Sequence, residues 1–159
     1  MDVERMIEVG SEAGLYARYR TELVRFATAL VGPSDAADVV SDAMLSLLKS
    51  GELAEAERPA ALMYRAVLAK ANSMHRSVFR RRAREQRFAQ RVTIEDPELH
   101  PEVVTAVVAL SPQQRACVYL TYWEDLASKD VAERLGIGEG TVKRYLARAR
   151  ARLREVLND

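Results

Sequence analysis

Arginine and lysine are concentrated in two blocks of the 159-residue chain, where their spacing suits the binding of a polyanion. Residues 76–91 contain seven arginines against the single acid Glu85, and residues 143–154 contain six basic residues and no acid. The first 60 residues instead carry 11 acids against 6 bases, so the formal net charge of +1 hides a strong asymmetry. If the two blocks were only solvated helix faces, acidic residues one helical turn away would be expected, and these are nearly absent. The blocks are therefore better explained as two surfaces that contact nucleic acid.

Side chains suited to catalysis or metal binding are scarce by comparison. Cys117 is the only cysteine, so it has no second thiol for a disulfide or a zinc site, and we expect it to be a small buried residue. His75 and His100 have no partner at i,i+4 on the same helix face. Paired carboxylates, a nucleophile set and a phosphate-binding loop are also missing. The sequence therefore predicts no enzyme activity, no metal and no cofactor.

The spacing of apolar residues predicts that most of the N-terminal half is helical. Apolar residues predict a helix over 14–30 and a second one from Ser34, its expected N-cap, to Ser50. A third helix is predicted from Pro59 to about Arg91, which would carry the first basic block. The residues expected on the inner faces are Leu15, Tyr19, Leu23, Phe26 and Leu30 in the first helix, Val40, Ala43, Met44, Leu47 and Leu48 in the second, and Leu62, Ala66, Ala69 and Ser73 near one face of the third.

The C-terminal half begins after an acidic segment, 93–101, that contains two of the five prolines and is the best candidate for a linker. A short apolar helix is expected over 102–110. Ser111, Pro112 and Gln114 then form the sequence pattern of a capping box, which opens a helix with Ala116, Cys117, Leu120 and Trp123 facing inward. We predict an all-α chain of two small helical domains, 1–92 and 102–159, joined by residues 93–101.

Residues 128–147 have the pattern of a helix-turn-helix. Ala132 supplies the small residue that lets two helices cross, and Gly136 supplies a residue that tolerates positive φ at the turn. Apolar anchors stand at the expected offsets on both sides: Val131, Leu135, Ile137, Val142 and Tyr145. The second helix, about 139–153, would enter a major groove and place Thr141, Lys143 and Arg144 near the base edges, with Arg148 one turn later.

These motifs resemble domain 4 of the extracytoplasmic-function (ECF) group of bacterial RNA polymerase sigma factors, over about residues 101–157. The resemblance rests on LSPQQRA at 110–116, WEDL at 123–126, the helix-turn-helix positions and the run Arg148–Arg154. Residues 12–92 resemble domain 2 of the same family, through DAADVVSDAML at 35–45, PAALMYRAVL at 59–68 and the arginines after His75. The resemblance implies a protein without a catalytic site that directs RNA polymerase to promoters and helps open them.

The resemblance also implies which residues carry each contact. The polymerase β′ clamp would bind Asp35, Asp38, Ser41 and Asp42; the −10 promoter element would bind Tyr64, Asn72, Arg76, Arg80 and Arg84; the −35 element would bind Thr141, Lys143, Arg144 and Arg148. Domain 4 would in addition contact the polymerase β flap, and an anti-sigma factor is a plausible further partner. The residues alone allow other readings: the three aspartates also suit a helix N-terminus, and Tyr64 suits a core as well as a base-stacking role.

Two other binding functions would use the same basic helices. A stand-alone helix-turn-helix regulator would bind duplex DNA without polymerase, although it would not need the arginine-rich segment 76–91. An RNA-binding or adaptor protein would ignore promoter sequence. The acidic start of the chain does not have the layout of a secretory signal, and no stretch approaches the ~18 apolar residues of a membrane span, so we expect a cytoplasmic protein without membrane insertion.

Overall fold

The computed structural model describes residues 11–84, 106–107 and 109–158, and every regular element in these ranges is a helix. The helices with defined bounds are α1 Glu12–Val31, α2 Ala36–Ser50, α3 Glu52–Glu55, α4 Pro59–Arg84, α5 Pro112–Tyr122, α6 Ser128–Leu135 and α7 Glu139–Asn158. The predicted all-α fold class is therefore confirmed over these residues. We call α1–α4 the N-terminal module and α5–α7 the C-terminal module. The predicted linker, 93–101, lies outside the described residues.

The N-terminal module is a bundle of α1, α2 and α4. The Ser11 hydroxyl caps α1 by accepting a hydrogen bond from the Gly14 N–H at 3.1 Å, and Gly32, at φ 86°, ends the helix. The prediction that Ser34 caps α2 is wrong. Residues 33–35 form a turn, and α2 begins at Ala36 after Asp35, whose side chain makes no capping hydrogen bond.

The face of α4 that packs into this bundle differs from the predicted one. The periodicity placed Leu62, Ala66, Ala69 and Ser73 near one face, but Ala69 and Ser73 are exposed and the first two are half-buried. The buried residues are instead Met63, Tyr64, Val67, Leu68 and Ala71. This face lies about one residue, or 100°, around the helix, and it buries larger apolar side chains, which favours it energetically.

The C-terminal module begins with the capping box that the sequence predicts. The Ser111 hydroxyl accepts from the Gln114 N–H, and the Gln114 side chain accepts from the Ser111 N–H, both at 3.2 Å. Ala116, Cys117 and Leu120 are buried as expected. The inward orientation predicted for Trp123 is wrong: α5 ends at Tyr122, and the Trp123 side chain is 73% exposed and stacks on Tyr119.

The two modules share one hydrophobic core. α5 packs against α1 and α4, and α6 packs against α4, so the C-terminal module lies directly on the N-terminal bundle. The continuous cluster includes Phe26, Leu30, Tyr64 and Val67 from the first module. The second module adds Ala116, Cys117, Leu120, Val131, Leu135, Val142 and Leu146. No helix in the described part of the chain is both long enough and apolar enough to cross a bilayer.

Candidate nucleic-acid interface

Gly136 makes the turn that orients the two helices of the C-terminal module. It adopts φ 66° and ψ 36°, the left-handed conformation that terminates α6, and its N–H donates to the Ala132 carbonyl. The Ile137 N–H donates to the same carbonyl at 3.1 Å, as expected where a helix closes with a left-handed residue. The predicted position and conformation of the turn are therefore confirmed.

Apolar anchors hold α7 against the rest of the C-terminal module. Val142, Leu146 and Ala149 are buried, and Tyr145 and Leu153 are half-buried, so one side of α7 faces the core. Ala132 is buried between the helices, which lets α6 and α7 cross closely. The predicted helix-turn-helix is present in the described residues, with each predicted anchor buried or half-buried.

The outer side of α7 presents the predicted −35 residues. Lys143, Arg144 and Arg148 are exposed, and Thr141, near the start of the helix, is half-buried. The Lys143 ammonium lies 3.3 Å from the Glu139 carboxylate, one helical turn earlier. Part of its charge is thus compensated inside the helix, and Arg144 and Arg148 are the stronger candidates for phosphate or base contact.

Arg150, on the same helix, makes a contact within the C-terminal module. Its guanidinium donates to the Tyr122 hydroxyl at 2.8 Å and lies 5.9 Å from the centre of that ring. Tyr122 is itself half exposed, and Trp123 beside it is more exposed still. The C-terminal module therefore has an exposed aromatic pair in addition to the cationic side of α7.

The predicted −10 residues are divided between two environments. Asn72 is half-buried and Arg76 is exposed on α4, where the Arg76 guanidinium lies 3.4 Å from the Ser73 hydroxyl. Arg80 and Arg84 belong to the last turns of α4, and their side chains lie outside the described part of the structure. Tyr64, in contrast, is only 1% exposed and lies in the shared core.

Two side chains from other helices enclose the Tyr64 ring. The Phe26 ring centre is 4.8 Å away, and the Arg134 guanidinium lies 4.7 Å from the Tyr64 ring centre. Burial raises the pKa of the Tyr64 hydroxyl to about 12, although the charge of Arg134 opposes the rise. In this arrangement the ring has no free face on which a base could stack, so a −10 role for Tyr64 remains a prediction that requires another arrangement of the modules.

The predicted polymerase-binding residues lie on the outer side of α2. Asp38, Ser41 and Asp42 are exposed, and Asp35 is half-buried at the helix N-terminus. Sequence reasoning missed their apolar neighbours: Leu45 is 52% exposed, and Leu48, which was predicted to face inward, is 43% exposed. The helical spacing could have identified Leu45 as an exposed neighbour, because it lies one turn after Ser41 and Asp42 on the same side of α2. The outer side of α2 therefore has two exposed leucines with polar and acidic residues beside them, an arrangement compatible with an interface that has an apolar centre and a polar rim.

A buried arginine that sequence reasoning did not identify joins the modules. The Arg115 guanidinium donates to the Leu30 carbonyl in the last turn of α1 at 2.7 Å and to the Leu110 carbonyl at 3.1 Å. Its burial lowers the pKa of the guanidinium below its ordinary value. The side chain thus satisfies a carbonyl that α1 cannot pair internally. Residues 85 positions apart in the chain give no periodic signal that would have revealed this contact.

Metal-binding groups do not assemble within the described ranges. No cluster of three or more histidine, cysteine, aspartate or glutamate side chains occurs there. Cys117 is fully buried, and burial raises its thiol pKa to about 12. This environment suits a structural thiol and not a reactive one.

Comparison with known proteins gives a family match in the C-terminal half. Residues 101–153 match the family model described as Sigma-70, region 4. A 55-residue stretch is 46% identical to an RNA polymerase sigma-E factor of Streptomyces antibioticus, and it covers 35% of this chain and 31% of that relative. A 48-residue stretch is 50% identical to the sigma-E factor of Streptomyces coelicolor, and it covers 30% of this chain and 27% of that relative. The matched segments therefore span less than a third of these relatives.

The fold as a whole is similar to that of a solved protein. The sigma factor RpoE of Bartonella quintana, crystallised in complex with the anti-sigma factor NepR, matches with a TM-score of 0.67. The match covers 90% of this chain and 94% of that one at 23% sequence identity, so it supports the fold and not the function. Together these findings confirm the predicted resemblance to sigma-70-type factors, most directly over residues 101–153.

Proposed function

We propose that the protein is a sigma factor of the extracytoplasmic-function type, which directs RNA polymerase to specific promoters and assists their opening. The observation that carries the proposal is the helix-turn-helix with its exposed cationic side. Gly136 orients α7, Val142 and Leu146 hold it against the core, and Arg144 and Arg148 face outward. Such a helix can enter a major groove with cations directed at bases and phosphates. The family match over residues 101–153 and the local similarity to sigma-E factors support this proposal.

Each remaining contact is proposed on a separate surface. The outer side of α2, with Asp38, Ser41 and Asp42 beside Leu45, would bind the polymerase β′ clamp. The second half of α4, from Asn72 onward, would bind the −10 element. The exposed pair Tyr122 and Trp123 gives the C-terminal module an apolar surface suited to the β flap. Under this proposal residues 1–92 and 102–159 are separate domains, and the protein acts without a catalytic site or cofactor, in the cytoplasm where polymerase works.

An anti-sigma factor is proposed as a further partner. The structurally similar RpoE was crystallised with the anti-sigma factor NepR, which supports the same kind of regulation here. Its binding surface is not assigned to particular residues.

Reconstitution with bacterial core RNA polymerase and a library of promoter fragments tests the proposal. The wild-type protein should support initiation from a subset of fragments that share two separated sequence elements. Arg144→Ala/Arg148→Ala should abolish that selection while the protein still binds core polymerase. Asp38→Arg/Asp42→Arg should lose polymerase binding while duplex binding is kept.

The alternative functions predict other results from the same reagents. A stand-alone regulator would bind one duplex sequence tightly without polymerase and would not support initiation. An RNA-binding protein would show no preference among duplex fragments. Either outcome with a correctly folded chain would reject the sigma factor proposal.

A further inference from the structure

Glu139 and Lys143 form an ion pair in the first two turns of α7, the helix that the proposed function places in a major groove. The Lys143 ammonium lies 3.3 Å from the Glu139 carboxylate, and both side chains are exposed. Glu139 is the only acid among residues 139–154, which otherwise carry six bases. Because a carboxylate is repelled by the phosphates of DNA, a helix that bound DNA by charge alone would not contain one at this position.

Two glycines flank Glu139 although no contact inside the protein requires them. Gly138 and Gly140 do not adopt positive φ, so their backbone conformations are open to other residues. A Cβ atom built on Gly140 would meet no other atom of the described residues within 4 Å, and one on Gly138 would meet only Thr141 Oγ1, at 3.7 Å. Glycine is also one of the least favourable residues in a helix. The start of α7 is thus bare on its exposed side, which lets another molecule approach the backbone closely.

The ion pair matches the major-groove edge of a G·C base pair. Guanine presents the acceptors O6 and N7 there, and cytosine presents the N4 amino donor. Guanine O6 and cytosine N4 are hydrogen-bonded to each other and lie about 2.9 Å apart. This separation is close to the 3.3 Å between the Lys143 ammonium and the Glu139 carboxylate. An ammonium at O6 and a carboxylate at N4 would satisfy both base groups while the ion pair is kept.

The other three base pairs fit this arrangement less well. Where cytosine or adenine lies on the lysine side, an amino group faces the ammonium and an oxygen faces the carboxylate, so both contacts are unfavourable. A T·A pair with thymine on the lysine side matches both charges. However, it places the thymine methyl group beside the ammonium, where guanine has N7, and it places adenine N7, an acceptor, beside the carboxylate.

We infer that Glu139 and Lys143 act together to select one G·C base pair, with guanine on the lysine side, in the DNA element that α7 binds. The inference rests on the proposed function and adds Glu139 to it as a specificity-determining residue. The ion pair has no net charge, so it contributes discrimination between sequences. Arg144 and Arg148, which are exposed on the same helix, supply the attraction to phosphates.

Selection from a library of randomised duplexes tests the inference, with the full chain alone and with the chain bound to bacterial core RNA polymerase. Wild type should enrich a G·C pair in one orientation at one position. Glu139→Ala should lose the preference at that position and keep the others, a loss of about tenfold or more in relative affinity. Glu139→Gln should shift the preferred pair from G·C to T·A, because a glutamine amide pairs with adenine N6 and N7.

Glu155→Ala is the matched control for these variants. Glu155 is an exposed acid on the same helix, 16 residues after Glu139 and therefore about 24 Å further along the axis. Its replacement makes the same change of charge and should leave every base preference as in wild type.

Gly140→Ala tests the close approach separately. Alanine should raise the urea midpoint of unfolding, because it is the better helix residue. The added methyl group should nevertheless lower duplex affinity about tenfold, as expected for the loss of one base-pair contact. If Gly140→Ala binds duplex DNA as tightly as wild type, DNA does not approach this turn closely and the inference fails.

A purely structural role of Glu139 predicts a different pattern. As a charge at the helix start and a partner of Lys143 it would contribute only to stability, and its removal would raise affinity equally for all duplexes. An unchanged base preference in Glu139→Ala would therefore overturn the inference, as would an equal loss in Glu155→Ala or a wild type without any preference. If the selection results hold but no fragment supports initiation with polymerase, the proposed function fails and the role of Glu139 in reading DNA stands.

Discussion

Replacement of Gly136 by alanine tests both the geometry of the turn and the contact between the two modules. The left-handed φ of 66° costs a non-glycine residue about 1–2 kcal/mol. The new methyl group would also overlap Arg65 Nε. The Arg65 side chain must then shift, and its Nη2 loses the hydrogen bond that it donates to the Glu133 carbonyl. Loss of that bond costs about 1 kcal/mol. Gly136→Ala should therefore lower the free energy of unfolding by about 2–3 kcal/mol.

A double-mutant cycle separates the two contributions. In an Arg65→Ala background only the backbone strain remains, so Gly136→Ala should cost about 1–2 kcal/mol there, a coupling of about 1 kcal/mol. Urea unfolding followed by far-ultraviolet circular dichroism measures each corner. Gly140→Ala is the matched control, because a Cβ atom at that position would have no heavy atom within 4 Å and helical glycine is replaced favourably by alanine. Equal costs in both backgrounds would refute the close approach of Arg65 to the turn.

Three further outcomes are expected from side chains described above. Arg148→Ala should reduce the slope of log affinity against log salt for duplex DNA by about 0.9, measured by fluorescence anisotropy, and Arg20→Ala should leave it unchanged. The buried Cys117 thiol, with its pKa raised to about 12, should react with a maleimide only after unfolding, so rapid native labelling would contradict its position. Burial raises the pKa of Tyr64 and of Tyr119 from 10.0 to about 12, so the unfolded chain loses these protons at a lower pH than the folded chain does. The free energy of unfolding, measured by urea titration, should therefore keep this contribution below pH 10 and fall between about pH 10 and 12, less steeply in Tyr64→Phe.

Local sequence patterns correctly predicted the features that depend on only a few neighbouring residues. The capping box at Ser111 and the turn at Gly136 depend on a few adjacent residues, and both occur as predicted. The anchors Val131 and Val142 follow from the same short spacing. In these segments backbone geometry and side-chain type favour one structure, so a single sequence is sufficient.

The errors occur where packing against distant segments decides the outcome. Trp123 fits the apolar periodicity of α5, but the helix ends one residue before it. Leu48 fits the inner stripe of α2 as closely as Leu47 does, and only the position of the other helices shows that it is exposed. The packed face of α4 likewise depends on Phe26 and on the C-terminal module, which take up Tyr64. Periodicity does not specify which of two adjacent faces is covered.

The hydrogen bond between Arg115 and the Leu30 carbonyl has a consequence for biosynthesis. The two residues are 85 positions apart, and a ribosome adds about 5–20 residues per second. Leu30 is therefore synthesised several seconds or more before Arg115, and in that interval its carbonyl does not have the partner that it has in the folded protein. The nascent N-terminal bundle also exposes the apolar surface that α5 later covers, so its core is complete only after the C-terminal module has been synthesised.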